Sequence, residues 1–287
     1  MNDWVGEAAR ERPDHVAVET PAGTLTYSQL DAEADLAARR LAALGVGEGG
    51  RVATTLAPGL DFAVLLHAAP RLGAALVPLN TRLPDPEQRR QATLAGADTV
   101  IEAPLDGFEA EVELRRELDP AAIHTVLFTS GTTGEPKPVE LTVGNQDAAA
   151  AAAWAGIGTR EDDRWLCVLP LFHIAGLAIL VRSARSASTA VIHEKFDAEA
   201  CIAALQTCTL ISLVATQLSR LRDAGLEAPG ALRAALLGGG PIPPALLAWA
   251  VDAGIPARCT YGMTETCSRS WSPSRASWRG FRCRVPR

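Results

Sequence analysis

The chain has 287 residues, enough for one large or two ordinary domains around a substantial core. With 48% hydrophobic and 21% charged residues it has the composition of a globular protein, and no apolar run approaches the roughly 20 residues that span a bilayer. Residues 1–267 carry 21 basic against 33 acidic groups, a net of −12, which argues against nucleic acid as the partner of the main body.

The N-terminus, Met1–Glu7, has neither the basic region nor the apolar core of a secretory signal, so a cytoplasmic location is expected, with no membrane partner. The six cysteines show no C-x-x-C and no metal-ligand spacing, and are expected to be reduced and mostly buried thiols. Only Lys137 and Lys195 among the basic residues are lysines.

In chain order, Val16–Glu19 and Thr24–Thr26 flank Pro21-Ala22-Gly23 and read as a hairpin. Ser28-Gln29-Leu30-Asp31 fits a capping box, and the stripe Leu30, Ala34, Ala37, Leu41, Leu44 predicts a helix closed by Gly45. Strand Arg51–Leu56, helix Phe62–Leu72, strand Ala75–Pro78, helix Asp85–Leu94 and strand Thr99–Glu102 follow. Residues 103–121, charged and proline-containing, read as a connection. After the strand Val126–Phe128, the alanine run Ala148–Ala153 reads as helix. Strands are then expected at Arg164–Leu169, Thr189–His193, Leu210–Val214, Ala234–Leu237 and Ala257–Thr260. The helices between them run to about Ala184, over Ala198–Gln206, from a Thr216 cap to Ala224, and over Pro244–Asp252. This alternation predicts an α/β fold of helix-covered, mostly parallel sheets. The expected units are residues 1–122, residues 123–267 and an irregular basic stretch, 268–287.

The stretch Thr125–Val139, T-V-L-F-T-S-G-T-T-G-E-P-K-P-V, carries the first chemistry. Gly131 and Gly134 free backbone N–H groups to face an anion; Thr129, Ser130, Thr132 and Thr133 add hydroxyls; Lys137 adds a point charge. Taken alone this also fits a flexible surface turn, and the spacing is not that of a Walker loop. Phe172-His173 follows a strand end, where the ligand loops of α/β sheets gather, though a lone histidine is as readily structural. Gly238-Gly239-Gly240-Pro241 follows another strand and offers either a tight turn or a bare backbone face for a flat ring. Tyr261-Gly262-Met263-Thr264-Glu265 ends the last strand. Its tyrosine can stack, its threonine can donate, and its glutamate is either a solvated carboxylate or the hard oxygen ligand that Mg²⁺ shares with phosphates.

The order of T-S-G-T-T-G-E-P-K, L-P-L-F-H-x-x-G, G-G-G-P and Y-G-M-T-E resembles the adenylate-forming enzymes: acyl-CoA ligases, luciferases and adenylation domains of peptide synthetases. The likeness covers Trp4 to Thr266. It implies an α/β N-terminal domain with two sheets, and ATP, Mg²⁺ and CoA as co-substrates and cofactor. It also implies an ATP site at Thr129–Gly134, Lys137, Gly238–Gly240, Tyr261, Gly262 and Thr264. Glu265 would hold the metal, and Lys137, Thr264 and Glu265 would serve catalysis. His173 is implied at the acyl pocket. Leu210–Leu221 and Tyr261–Thr266 most resemble the acyl-CoA ligases of menaquinone biosynthesis, implying a 2-succinylbenzoate-type acid, and Ser212, Thr216 and Gln217 are acyl-pocket candidates. The pattern departs at Pro138, where the family has glycine; proline should hold Lys137 in extended backbone. The family's T-G-D motif, barrel-like subdomain and lysine-bearing C-terminal domain have no counterpart in residues 268–287. That stretch of six arginines and no acid reads as out-of-frame translation. A truncated, catalytically impaired ligase is therefore expected, with a non-catalytic nucleotide binder or an adenylating domain for another carboxylate as the alternatives.

Overall fold

The structure, a computed structural model, describes residues 1–129 and 135–271, and side chains through residue 268. Ser130, Gly131, Thr132, Thr133 and Gly134 lie outside the described residues. Helix Trp4–Glu11, absent from the sequence reading, opens the chain and is capped by the Asp3 carboxylate, which accepts from the Val5 N–H. β1 (Val16–Thr20) and β2 (Gly23–Thr26) form the expected antiparallel hairpin. The next helix, Tyr27–Ala43, starts earlier than read. Thr26, not Ser28, is its cap: the Thr26 hydroxyl accepts from the Gln29 N–H while the Gln29 side chain accepts from the Thr26 N–H. Leu30, Ala34, Ala37 and Leu41 are buried along its stripe, but Leu44 lies past the helix end and is 57% exposed.

β3 (Arg51–Thr54) leads to helix Leu60–Ala68, which tightens into a 3₁₀ turn, Ala69–Leu72, where Pro70 has no N–H to give the α ladder. β4 (Ala75–Pro78), helix Asp85–Leu94 and β5 (Thr99–Ile101) follow. β6 (Ile123–Thr129) and β7 (Lys137–Thr142) pair antiparallel, with Thr129 opposite Lys137 and Phe128 opposite Pro138. β7 was not read from the sequence; its proline sits on the sheet's edge strand, where a missing donor is tolerated. Thr142 and Asn145 cap helix Val143–Ala153, which ends in a π-helical turn, Trp154–Gly158. β8 (Arg164–Cys167), β9 (Thr189–Ile192), β10 (Leu210–Leu213), β11 (Ala234–Leu237) and β12 (Ala257–Cys259) alternate with helices Ile174–Arg185, Ala198–Ala204, Ala215–Asp223 and Pro244–Asp252. Val214, rather than Thr216, is the cap residue of the third. A short ribbon, β13 (Tyr261–Met263) and β14 (Ser268–Trp271), closes the described chain around a 3₁₀ turn, Thr264–Thr266. Ser268–Trp271 lies in the stretch read as irregular, because pairing with β13 uses backbone groups that no side-chain pattern reports.

The fold is α/β with two mostly parallel sheets. One has the order β5-β3-β4-β6-β7; the other, β12-β11-β10-β8-β9-β1-β2, is parallel except for β2. Each draws strands from both sides of residue 122: the hairpin at residues 16–26 joins β9, and β6 joins β4. β4, β9, β10 and β11 are buried at every residue, as expected of parallel strands covered by helices on both faces. One charged cluster crosses this apolar interior. The fully buried Arg71 guanidinium pairs with Asp3 at 2.6 Å, Asp31 at 2.5 Å and Asp35 at 2.6 Å, tying the first helix to the second and to the 3₁₀ turn.

Candidate functional site

In the larger sheet the chain runs from β8 outward to β9, then returns across β8 to lay down β10, β11 and β12 on the other side. The strand order therefore reverses between β8 and β10. Connections leave such a point in opposite directions, so the carboxyl ends of the two strands border a crevice, the usual ligand position in open α/β sheets. A cleft of about 710 Å³ lies there.

Its walls are the residues that follow each strand end. After β8 come Leu169, Pro170, His173, Ile174 and Ala175. β10 supplies Ser212 and Leu213, with Val214, Thr216 and Gln217 beyond it. Gly238 and Gly239 follow β11; Thr260, Gly262, Met263 and Thr264 follow β12. Among the described residues, three arginines, Arg82, Arg182 and Arg220, complete the lining, and no aspartate or glutamate is in it.

Local geometry explains several of these letters. His173 is the cap residue of helix Ile174–Arg185, and its ring lies 4.6 Å from that of Phe172. Partial burial, then the nearby Arg82 guanidinium, lower its pKa, so the imidazole is neutral at neutral pH. Gly176 is glycine because a Cβ there would collide with the Pro170 and Leu169 carbonyl oxygens. Gly238 faces Thr260, whose Oγ would be 2.7 Å from an added Cβ; Gly239 has φ +77°, left-handed backbone. Gly240 has nothing within 4 Å, so the chain's own packing does not call for glycine there.

Ser212 accepts a hydrogen bond from Trp165 Nε1 at 3.3 Å, and the Arg182 guanidinium lies over the same indole, 5.6 Å from its centre. Gln217 is held at both ends. Its oxygen accepts from the Val214 N–H and its nitrogen donates to the Val168 carbonyl, both at 3.1 Å.

The cleft thus brings together His173, Ser212, Thr216, Gln217, Gly238, Gly239, Gly262 and Thr264. It does not include Thr129, Lys137, Gly240, Tyr261 or Glu265 in its walls. Thr129 and Lys137 face each other at the loop end of the β6–β7 hairpin, Lys137 exposed and extended as its following proline required. Gly240, Tyr261 and Glu265 are exposed, and the turn carrying Glu265 packs against β7. Sequence reasoning missed Arg82, Arg182, Arg220 and Trp165. Arg182 left a signal: it is a charge directly following the apolar stretch Ile174–Val181 on the same helix, at 6% exposure.

The chain matches the AMP-binding enzyme family over residues 5–282. It is 36% identical, over 94% of its length, to the 2-succinylbenzoate–CoA ligase of Bacillus thuringiensis subsp. konkukian (strain 97-27), and 37% identical to that of Bacillus cytotoxicus. Among solved structures it is similar to o-succinylbenzoate coenzyme A synthetase (MenE) from Bacillus subtilis in complex with ATP and magnesium ion. The TM-score is 0.92 at 32% identity, over 97% of this chain and 63% of that one. The N-terminal domain of FACL13 from Mycobacterium tuberculosis superposes with a TM-score of 0.83 at 28% identity, over 93% and 77%. The chain spans about 60% of the length of the curated relatives it matches.

Proposed function

The chain belongs to the AMP-binding enzyme family, and from that premise we propose that it serves an ATP-dependent acyl-CoA ligation with 2-succinylbenzoate as the acid. A carboxylate oxygen attacks the α-phosphorus of ATP and pyrophosphate leaves. The thiol of CoA then attacks the acyl carbon of the resulting adenylate, and AMP leaves. The observation that carries this reading is the switch-point cleft itself. One cavity holds the acyl-pocket candidates His173, Ser212, Thr216 and Gln217 beside the nucleotide candidates Gly238, Gly239, Gly262 and Thr264. A lining with three arginines and no acid suits a dicarboxylic acid, one carboxylate reacting while the other stays within the positive field.

In this reading Gly238–Gly240 offer bare backbone to adenine and the exposed Tyr261 ring covers it. Thr264 donates to the α-phosphate, and Lys137 with the hydroxyls from Thr129 to Thr133 holds the outer phosphates. Ser212 is set as a donor: an indole N–H can only donate, so Ser212 accepts from Trp165 and keeps its own proton for an acyl oxygen in the cleft. The neutral His173 ring shapes the pocket mouth. The residues present fit magnesium in their donor chemistry, one hard carboxylate oxygen near a candidate phosphate site. A lone exposed carboxylate such as Glu265 is what Mg²⁺ uses when phosphates supply its other ligands. Glu265 would hold the ion, whose charge would offset that of the phosphates.

The curated relatives extend well beyond the matched span, and the resemblance places further catalytic groups there. The 287 residues by themselves are therefore proposed to bind ATP and to turn over slowly, a charge-stabilising group supplied from outside them being worth about 10²–10³-fold. Pyrophosphate–ATP exchange tests this. Exchange driven by 2-succinylbenzoate but not by benzoate or a fatty acid supports the reading. Exchange driven only by an amino acid makes this an adenylating domain of another kind. ATP binding with no exchange for any acid makes it a non-catalytic nucleotide binder.

A further inference from the structure

Gln217 lies where the two strands of the switch point part. β8 and β10 are paired at Leu210–Trp165 and Ile211–Leu166, and no pair is formed beyond Ile211. Past that position the strands are joined instead through a side chain. From the first turn of helix Ala215–Asp223, Gln217 donates to the carbonyl of Val168, the first residue after β8, while accepting from the N–H of Val214, the first residue after β10. The same side chain borders two cavities at once, the 710 Å³ cleft and a second of about 220 Å³ toward Phe62 and Leu79. It is a partition between them, and its amide oxygen and one amide N–H are engaged by the chain's own backbone. An amide with its acceptor and one donor so engaged makes a poor direct contact for a substrate but a stiff strut.

Resting on the acyl-CoA ligase reading above, we infer that Gln217 is a positioning residue that sets the width of the acyl cleft by holding the Val168–His173 turn at a fixed distance from the helix bearing Thr216. It thereby selects acids by size without binding them through its amide.

Three variants separate this from its rivals. Gln217→Met keeps length and volume but forms neither hydrogen bond. Gln217→Glu keeps the acceptor for Val214 and turns the other oxygen against the Val168 carbonyl. Gln217→Asn is too short to reach both. Two measurements are made on the full chain. The first is acid-dependent pyrophosphate exchange with a graded series of ortho-substituted benzoates. Met and Glu are expected to shift the ratio of exchange rates toward the bulkier acids by about tenfold, the scale on which a pocket discriminates a methylene, while ATP affinity stays unchanged. Loss confined to acids carrying one particular polar group would overturn the inference in favour of direct contact, and so would a lowered Tm with an unchanged ratio. The second is amide hydrogen exchange of residues 168–173, which needs no turnover. It should quicken in Met and Glu and leave residues 234–237 as they were; unchanged protection at 168–173 overturns the strut. If the unaltered chain binds ATP but accepts no acid, the ligase reading fails, and the hydrogen-exchange result still decides the strut.

Discussion

Two histidines make this protein acid-labile by a calculable amount. His67, on helix Leu60–Ala68, and His124, in β6, are both buried, and neither ring nitrogen of His124 has a hydrogen-bond partner; its ring lies 5.4 Å from that of Trp4. Burial pushes His124 down to about 4 and, with His124 and Arg71 adding to it, His67 down to about 3, from an ordinary value of 6.5. Above pH 6.5 both rings are neutral, folded or unfolded, and nothing is lost. As pH falls below 6.5 the unfolded chain takes up two protons that the folded chain refuses, at about 1.4 kcal/mol per pH unit per proton. By pH 5 that is about 2 kcal/mol for each ring and about 4 kcal/mol together, against a total stability of roughly 5–15 kcal/mol. Asp3, held above the usual carboxylate range by burial against the pull of Arg71, has the opposite sign and softens the fall at lower pH. Urea midpoints by far-UV circular dichroism at pH 7 and pH 5 measure the loss. The double variant His67→Leu/His124→Phe keeps Asp3 and removes both protonation sites, so its midpoint should change far less over that interval. Equal losses in the two proteins would refute the reasoning.

Gly238→Ala places a Cβ 2.7 Å from Thr260 Oγ and should displace the residues leading into Tyr261–Glu265, weakening ATP binding about tenfold by calorimetry, with about 1–3 kcal/mol of destabilisation. Glu265→Gln, at an exposed position, should leave the Tm within a degree or two while lowering magnesium-dependent pyrophosphate exchange by about 10²–10³-fold. Arg71→Met strips the guanidinium from three carboxylates, one of them on the nearly buried Asp3, and should cost about 3–5 kcal/mol in urea unfolding.

What the sequence made legible is what local chemistry decides. Buried strands such as Leu210–Leu213 are continuous apolar runs, and the stripe from Leu30 to Leu41 has the period of a helix face. Strand partners were not legible, because pairing between residues such as Val18 and Ala190 depends on contacts that no short window contains. The β6–β7 hairpin escaped for a related reason. Lys-Pro-Val-Glu-Leu-Thr carries a proline that reads as a breaker until the strand is known to lie at an edge. Arg71 escaped differently, since an arginine beside Pro70 looks like solvent-facing charge, and its three carboxylates come from residues 3, 31 and 35. Nor could spacing separate Thr26 from Ser28 as the helix cap, because both hydroxyls precede a plausible partner.

Each motif was open to a packing reading and a ligand reading, and the structure divides the letters between them. Gly176 serves the approach of its helix to Pro170, and Gly238 serves the approach of its strand end to Thr260. Gly239 serves a left-handed turn, and the amide of Gln217 serves two backbone groups. Those positions would be needed by this fold even if it bound nothing. Gly240 has no neighbour within 4 Å, Tyr261 exposes 62% of its surface, and Lys137 and Glu265 reach into solvent from a hairpin and a turn that pack near each other. Nothing in the packing accounts for these four, although an exposed tyrosine and a bare glycine gain the fold nothing on their own. Under the ligase reading proposed above, a nucleotide lying across the end of β11, its base between glycine backbone and tyrosine ring and its phosphates between lysine and glutamate, would account for all four at once.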